Sequence, residues 1–174
     1  DEQNGTGHAV KIALDALGDL TGPVLVLAGD TPLLTTADMQ LTLDALAGKS
    51  AAVLTAHLAD ATGYGRIVRN AKNDFEKIVE HRDASDQELQ IAEVNSGVYA
   101  FDAKSLRESL AKLTTNNSQG EQYLTDVLGI LRSAGNEVSA VTTSEENILG
   151  VNDRRQLADA GAILQNRINT EWML

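Results

Sequence analysis

The sequence predicts an α/β fold in which helices cover both faces of a mixed, mostly parallel sheet, and three observations carry that expectation. Helix-like and strand-like patterns alternate towards both ends of the chain, as layered α/β architectures require. The run Val24-Leu25-Val26-Leu27-Ala28 has no polar residue, the mark of a strand covered on both faces in a parallel sheet. In the middle, Gly63–Val68 and Phe75–Glu80 flank the polar turn Arg69–Asp74, which reads as an antiparallel hairpin.

The elements follow in order. Between His8 and Leu20 the residues Ala9, Ile12, Ala13, Ala16, Leu17 and Leu20 recur at spacings of three and four, an amphipathic helix. The strand Val24–Ala28 comes next, then a helix from about Thr36 to Ala47 with Met39, Leu43 and Leu46 on one side, then a strand Ala51–Leu58. Beyond the hairpin the pattern predicts a strand at Val94–Phe101, helices at Ala103–Leu113 and Gln122–Ala134, a strand at Glu137–Val141 and a closing helix at Asp153–Thr170. The polar stretch Thr114–Gly120 is long enough to close over a site.

Composition sets outer limits. A chain of 174 residues suits one domain, and with 43% apolar residues it can hide roughly two-thirds of its unfolded surface. Lys and Arg number 14 against 25 Asp and Glu, a formal charge of −11 with no basic block, so neither nucleic acid nor an anionic membrane is a fitting partner. Cysteine is absent, which rules out disulfides and thiolate zinc sites and fits a reducing cytoplasm. No apolar run approaches the length of a membrane span, and the sequence reads as soluble and cytoplasmic.

Four stretches have side chains suited to chemistry. Gly5-Thr6-Gly7-His8 opens the first helix, where free N–H groups favour an anion or a polar base edge. It matches neither the dinucleotide fingerprint nor a P-loop, and alone it is no more than a Gly-rich helix entry. Ala28-Gly29-Asp30-Thr31-Pro32 puts a carboxylate just past a strand end, where open α/β sheets bind ligands, although a turn or cap role accounts for a lone Asp as well. Asn152, in Gly150-Val151-Asn152-Asp153, is the candidate companion, since one carboxylate, one amide oxygen and substrate phosphates satisfy Mg²⁺. Glu80 and His81 end the second hairpin strand and Asn95 lies in Glu93-Val94-Asn95-Ser96-Gly97, strand-end positions that suit sugar hydroxyls and ordinary edge chemistry alike. His8, His57 and His81 lack metal spacing, and no Ser, His and Asp grouping signals a nucleophile.

Taken in order, seven blocks resemble one family. Gly5-Thr6-Gly7-His8-Ala9, Gly29-Asp30-Thr31-Pro32-Leu33, Thr62-Gly63-Tyr64-Gly65-Arg66-Ile67, Ile78-Val79-Glu80-His81-Arg82-Asp83-Ala84, Glu93-Val94-Asn95-Ser96-Gly97, Asn117-Ser118-Gln119-Gly120-Glu121-Gln122-Tyr123-Leu124-Thr125-Asp126 and Gly150-Val151-Asn152-Asp153-Arg154 resemble the uridyltransferase domain of the bacterial bifunctional N-acetylglucosamine-1-phosphate uridyltransferase and glucosamine-1-phosphate acetyltransferase. The resemblance covers nearly the whole chain. It implies a Rossmann-like nucleotidyltransferase sheet with the hairpin inserted over a sugar site. It also implies a Mg²⁺-dependent reaction of UTP with N-acetylglucosamine 1-phosphate, giving UDP-N-acetylglucosamine for peptidoglycan synthesis.

Carried over by match, Gly5 and Thr6 hold the uracil, Gly29 and Asp30 belong to the nucleotide site, and Asp30 with Asn152 holds the metal. Gly65, Glu80 and Asn95 hold the acetamido sugar, with Tyr123 and Thr125 nearby. Ala28 departs from the pattern, because some members carry Tyr there. The family's Gly-rich phosphate loop, with its Arg and Lys, is expected upstream of Asp1, and an acetyltransferase β-helix through which the longer protein forms a homotrimer is expected after Leu174, with residues 153–174 leading toward it. On that reading residues 1–174 are a partial domain, inactive alone. Arg66 and Arg82 look inadequate as the only cations near the phosphates. Two other readings stay open: a related sugar 1-phosphate nucleotidyltransferase with a different sugar or base, and a regulatory module of the same fold without catalysis.

Overall fold

A computed structural model describes residues 3–174. In chain order the elements are α1 (Thr6–Leu17), β1 (Pro23–Val26), α2 (Thr36–Leu46), β2 (Ala51–His57), β3 (Arg66–Arg69), β4 (Phe75–Val79), β5 (Glu93–Asp102), α3 (Ala103–Leu110), α4 (Asp126–Ser133), β6 (Val138–Thr142) and α5 (Arg154–Met173). Short 3₁₀ turns at Glu88–Gln90 and Glu145–Ile148 precede β5 and follow β6.

Local chemistry sets most boundaries. Thr35 and Asp38 form a reciprocal capping box at the start of α2, and Asp102 and Asp153 cap α3 and α5 through the N–H groups of Ser105 and Gln156. The first helix stops at Leu17, three residues short of the periodic pattern, because Gly18 turns the backbone to φ 74°. Helix α4 begins at Asp126 instead of Gln122, since Gln122 is engaged elsewhere: its N–H donates to the Asn4 carbonyl and its carbonyl accepts from Gly7 N–H, both at 2.8 Å.

The sheet is organised by β5. Along one side it pairs with β2, which pairs in parallel with β6. Its other side is shared: β1 lies against Tyr99–Asp102, and the β3–β4 hairpin meets it only at Val94. The sheet is therefore mixed, with β1, β2, β3 and β6 running one way and β4 and β5 the other. The expectation of a mostly parallel sheet is corrected at the level of pairing, where only β2 and β6 are parallel neighbours among the described strands. The cause is β5, which runs against all three strands it touches.

Alternation along the two central strands separates the core into layers. Ala51, Val53, Tyr99 and Phe101 face α1, α3 and α4, where Leu14, Leu106, Leu128 and Leu131 close the larger core. Ala52 and Ala100 face α2, and Leu54, Val94 and Val98 face Ile148 of the second 3₁₀ turn. Helices thus lie on both faces, as expected. The described residues cover the apolar run Val24–Ala28 only in part: Val24, Leu25 and Val26 are half-buried, Leu27 is 41% exposed, and β1 pairs with β5 alone among the described strands. The fully buried strand is β2, whose residues Ala51–Ala56 include the polar Thr55. An apolar run records what a strand can tolerate, whereas its neighbours decide whether it is buried.

Candidate functional site

The site forms where β5 loses register. Between Val53↔Tyr99 and Thr55↔Asn95, two steps on β2 span four on β5, so Ser96, Gly97 and Val98 bulge from the ladder. Gly97 takes φ 79°, and a Cβ there would stand 3.1 Å from the Ala28 Cβ, so this position excludes a side chain on two counts. Local bonds hold the bulge: Ser96 Oγ donates to the Leu54 carbonyl at 2.7 Å, and Gly97 N–H donates to Asn95 Oδ1 at 3.0 Å. Because β1 and β3 meet β5 on either side of the bulge, a crevice of about 340 Å³ opens between them.

Asp30, Gly65, Glu80, Asn95 and Asn152, from five separate stretches of the sequence, all line this crevice. Two of these stretches are joined directly, as Val151 N–H donates to the Asp30 carbonyl at 2.8 Å. The Gly65 carbonyl accepts from Asn95 N–H at 2.9 Å, fixing the hairpin against the bulge. Asn95 is oriented further by Tyr99, whose hydroxyl accepts from Nδ2 at 2.7 Å. Tyr99 is buried and lies roughly parallel to Phe101 with ring centroids 5.7 Å apart, and burial lifts its phenol well above the ordinary value.

Glu80 is the electrostatically unusual member. Burial pushes its carboxyl above the usual Glu range, the Thr125 hydroxyl bond at 2.9 Å opposes that rise, and the nearby carboxylates of Asp126 and Asp83 reinforce it. Asp126 is raised as well, by burial and by Asp83. Among the described residues lining the crevice there are two carboxylates, Asp30 and Glu80, and no Lys or Arg. Arg66 is buried, with its guanidinium donating to the Tyr64 carbonyl, and Arg82 reaches Gln119 instead.

The remaining expected site residues fall around this centre. Thr125 lines an adjoining recess of about 320 Å³ that shares Ala28, Glu80, Asn95 and Gly97 with the crevice, and Thr6 lines it too, its hydroxyl accepting from Leu124 N–H at 3.0 Å. Gly5 sits outside both, in a shallow cleft at the start of α1. Its glycine neighbour has a packing explanation: a Cβ on Gly7 would stand 2.4 Å from Leu113 Cδ1 and 3.0 Å from the Gln122 carbonyl. Gly29 is exposed between Ala28 and Asp30. Tyr123 is buried and its hydroxyl accepts from Gln119 Nε2 at 2.7 Å, while Ser118 N–H donates to Asp83 at 2.9 Å. These bonds latch the polar loop 114–120 to the segment that follows Glu80.

The motif reading did not single out Gly97, Tyr99 or Gln156. Gly97 and Tyr99 follow Asn95 at steps of two and four, a strand periodicity that points to them, whereas Gln156, which accepts from Asn152 N–H at 2.7 Å, has no local signal.

Asp30 and Asn152 meet the chemical requirement for Mg²⁺. Both present oxygen ligands, and among the described residues neither side chain is engaged by another group. No cluster of three or more His, Cys, Asp or Glu able to hold a metal occurs among the described residues, so a cation here would complete its shell with water and substrate oxygens.

The fold is thus a mixed sheet covered by helices, with a polar crevice where β1 and β3 meet β5, and its lining gathers the side chains of Asp30, Glu80, Asn95 and Asn152. The chain belongs to the nucleotidyl transferase family, whose model matches residues 1–172. It is 52% identical over 175 residues to the bifunctional protein GlmU of Shouchella clausii, covering 99% of this chain and 38% of that protein. The corresponding protein of Corynebacterium efficiens is 54% identical over 170 residues, covering 96% of this chain and 35% of its own length. For the protein of the same name from Streptomyces coelicolor the identity is 52% over 183 residues, with 100% of this chain and 37% of the relative covered. The chain thus spans little more than a third of the length of these relatives. A nucleoside-diphosphate-sugar pyrophosphorylase from Vibrio cholerae shares the fold with a TM-score of 0.68 at 15% identity, over 92% of this chain and 66% of the other.

Proposed function

We propose that this domain joins UTP to N-acetylglucosamine 1-phosphate, forming UDP-N-acetylglucosamine and releasing pyrophosphate. The observation that carries the reading is the convergence of Asp30 and Asn152 with Glu80 and Asn95 on one crevice, in a chain about half identical to proteins named GlmU. A phosphate oxygen of the sugar attacks the α-phosphorus of UTP, a new P–O bond forms, and the bond from the α-phosphorus to the bridging oxygen breaks as pyrophosphate leaves. Such a transfer needs alignment and charge neutralisation more than a protein nucleophile.

In this reading Glu80 accepts from sugar hydroxyls and Asn95 holds the sugar's amide, with Gly65 and Thr125 completing that side and Tyr123 supporting the loop above. Gly5, Thr6 and Gly29 serve the nucleotide. The crevice lining carries two carboxylates and no Lys or Arg among its described residues, so anionic substrates are repelled unless a cation intervenes. Asp30 and Asn152 would hold Mg²⁺, which supplies that neutralisation when bound.

The longer protein, on the same reading, also acetylates glucosamine 1-phosphate, assembles as a homotrimer through a β-helix beyond α5, and feeds peptidoglycan synthesis in the cytoplasm. No helix among the described residues is long and apolar enough to cross a membrane.

Pyrophosphate release from the protein carrying this domain, with UTP, Mg²⁺ and N-acetylglucosamine 1-phosphate, tests the reading against other nucleotides and sugar phosphates. The named pair is expected to turn over about tenfold faster or more, the factor that one lost bond to a charged group carries. Equal turnover of another sugar or base would instead indicate a related nucleotidyltransferase, and no turnover a non-catalytic module.

A further inference from the structure

Asp38, in the first turn of α2, is only 4% exposed and lies outside the crevice. Its carboxylate accepts from the N–H and hydroxyl of Thr35, from the Thr143 hydroxyl and from the Asn147 carboxamide. Asn147 Oδ1 in turn accepts from Arg167 Nη2 at 2.8 Å. The same guanidinium donates to the Leu33 carbonyl at 2.8 Å and to Glu146 from Nε at 2.9 Å. Burial raises the Asp38 carboxyl, yet the bonds from Thr143, Thr35 and Asn147 outweigh it and hold the group below its ordinary value.

This network ties together four parts of the chain: the segment leaving Asp30 (Leu33, Thr35), the end of β6 (Thr143), the 3₁₀ turn leading to Asn152 (Glu146, Asn147), and α5 (Arg167). A buried carboxylate is costly unless fully bonded, and apolar packing would join α2 to β6 more simply. What the polar network adds is direction: the bonds from Thr143 and Asn147 to Asp38, and from Arg167 to Leu33 and Asn147, tie the segment leaving Asp30 to the turn leading to Asn152. The two segments meet at the bond from Val151 N–H to the Asp30 carbonyl. Helix α5 buries only Ala160 among its described residues, so the Arg167 clasp is the polar link between its C-terminal half and the Asp30 segment.

We propose that Asp38, Asn147 and Arg167 are positioning residues that set the spacing of Asp30 and Asn152, coupling the seating of α5 to the cation affinity of the crevice. The proposal rests on the reading of Asp30 and Asn152 as metal ligands. Mg²⁺ demands near-ideal octahedral geometry, so a small change in ligand spacing costs affinity.

Hydrogen exchange and Mn²⁺ titration followed by electron paramagnetic resonance, the latter with UDP-N-acetylglucosamine present, test it in the protein carrying this domain. In Arg167→Met, and in Asn147→Ala should the first variant fold poorly, the Val151 amide is expected to exchange about tenfold faster while amides of β2 and β5 keep their protection. Mn²⁺ affinity is expected to fall several-fold in the same variants. Unchanged exchange at Val151 overturns the proposal, as does faster exchange spread equally over β2 and β5, or faster exchange at Val151 with unchanged Mn²⁺ affinity. Asp30→Ala separates the two readings: it removes a ligand and leaves the network intact. Loss of Mn²⁺ binding there with normal Val151 protection supports both readings, whereas retained Mn²⁺ binding overturns the ligand assignment and leaves the exchange result to judge the network.

Discussion

The Thr125 hydroxyl donates to Glu80 Oε1 at 2.9 Å, joining the start of α4 to the end of β4 beside the crevice. Glu80 therefore sits between two opposing influences, a burial that disfavours its charge and a hydrogen bond that favours it. Its ionisation is expected to govern both stability and sugar handling.

Glu80→Gln is expected to stabilise the protein at pH 7 while weakening its use of the sugar phosphate. A carboxyl whose folded pKa is raised contributes stability below its unfolded pKa and loses that contribution as pH rises through the folded value, so at neutral pH the ionised group is a cost. Each kcal/mol recovered raises the melting temperature by roughly 2–4 °C for a chain of this size. The gain over the parent should vanish in acid, where the parent is protonated. KM for N-acetylglucosamine 1-phosphate should rise about tenfold or more with KM for UTP little changed, from the loss of a charge-assisted bond. Melting curves at two pH values and steady-state kinetics read the two effects separately.

Thr125→Val removes the bond that lowers the Glu80 pKa and leaves the burial that raises it. The acidic limb of kcat/KM for the sugar phosphate is then expected to move to higher pH, on top of whatever loss the missing hydroxyl causes at all pH values. An unmoved limb would assign that limb to a different group.

Gly97→Ala is expected to strain the bulge. The backbone at φ 79° costs a non-glycine residue about 1–2 kcal/mol, before the 3.1 Å approach to the Ala28 Cβ is counted. At roughly 2–4 °C per kcal/mol, melting should fall by several degrees, and KM for the sugar phosphate should rise as Asn95 loses its partner at Gly97 N–H.

Arg69→Met tests a partly buried ion pair away from the crevice. Arg69 Nε and Nη2 each donate to Glu93 at 2.7 Å, Thr55 Oγ1 adds a bond at 2.8 Å, and Glu93 is 7% exposed. Removing Arg69 leaves Glu93 with only its Thr55 bond and should cost about 1.5–3 kcal/mol in urea unfolding at pH 7, the range for hydrogen bonds to charged groups. Burial raises the Glu93 carboxyl, but the bonds from Arg69 and Thr55 prevail and leave it lowered, so its stabilisation is present above the unfolded value and lost as pH falls through and below 4.5. The variant should lack that acid sensitivity.

The site was legible in the sequence to different depths. Asp30, Glu80, Asn95 and Asn152 could be marked from strand ends and motif blocks, because each follows a short local pattern. Their meeting in one place was expected from the resemblance, whereas the bulge that opens the crevice was not legible, since it depends on how β5 pairs with β2. The shallow cleft holding Gly5 and the packing of Gly7 against Gln122 were also hidden, because the partner lies more than a hundred residues away in sequence.

Sequence alone determined the order of helices and strands, the hairpin whose strands are Arg66–Arg69 and Phe75–Val79, and the ordered blocks that mark the family. These signals act within one turn or one hairpin, where the bonded groups are neighbours along the chain. Tertiary structure alone decided that β2 is the buried strand although it carries Thr55, that β5 runs against its neighbours, and that Arg167 reaches Leu33. Strand order, bulge position and long-range bonds are set by which surfaces bury one another, and no stretch of a dozen residues contains that information.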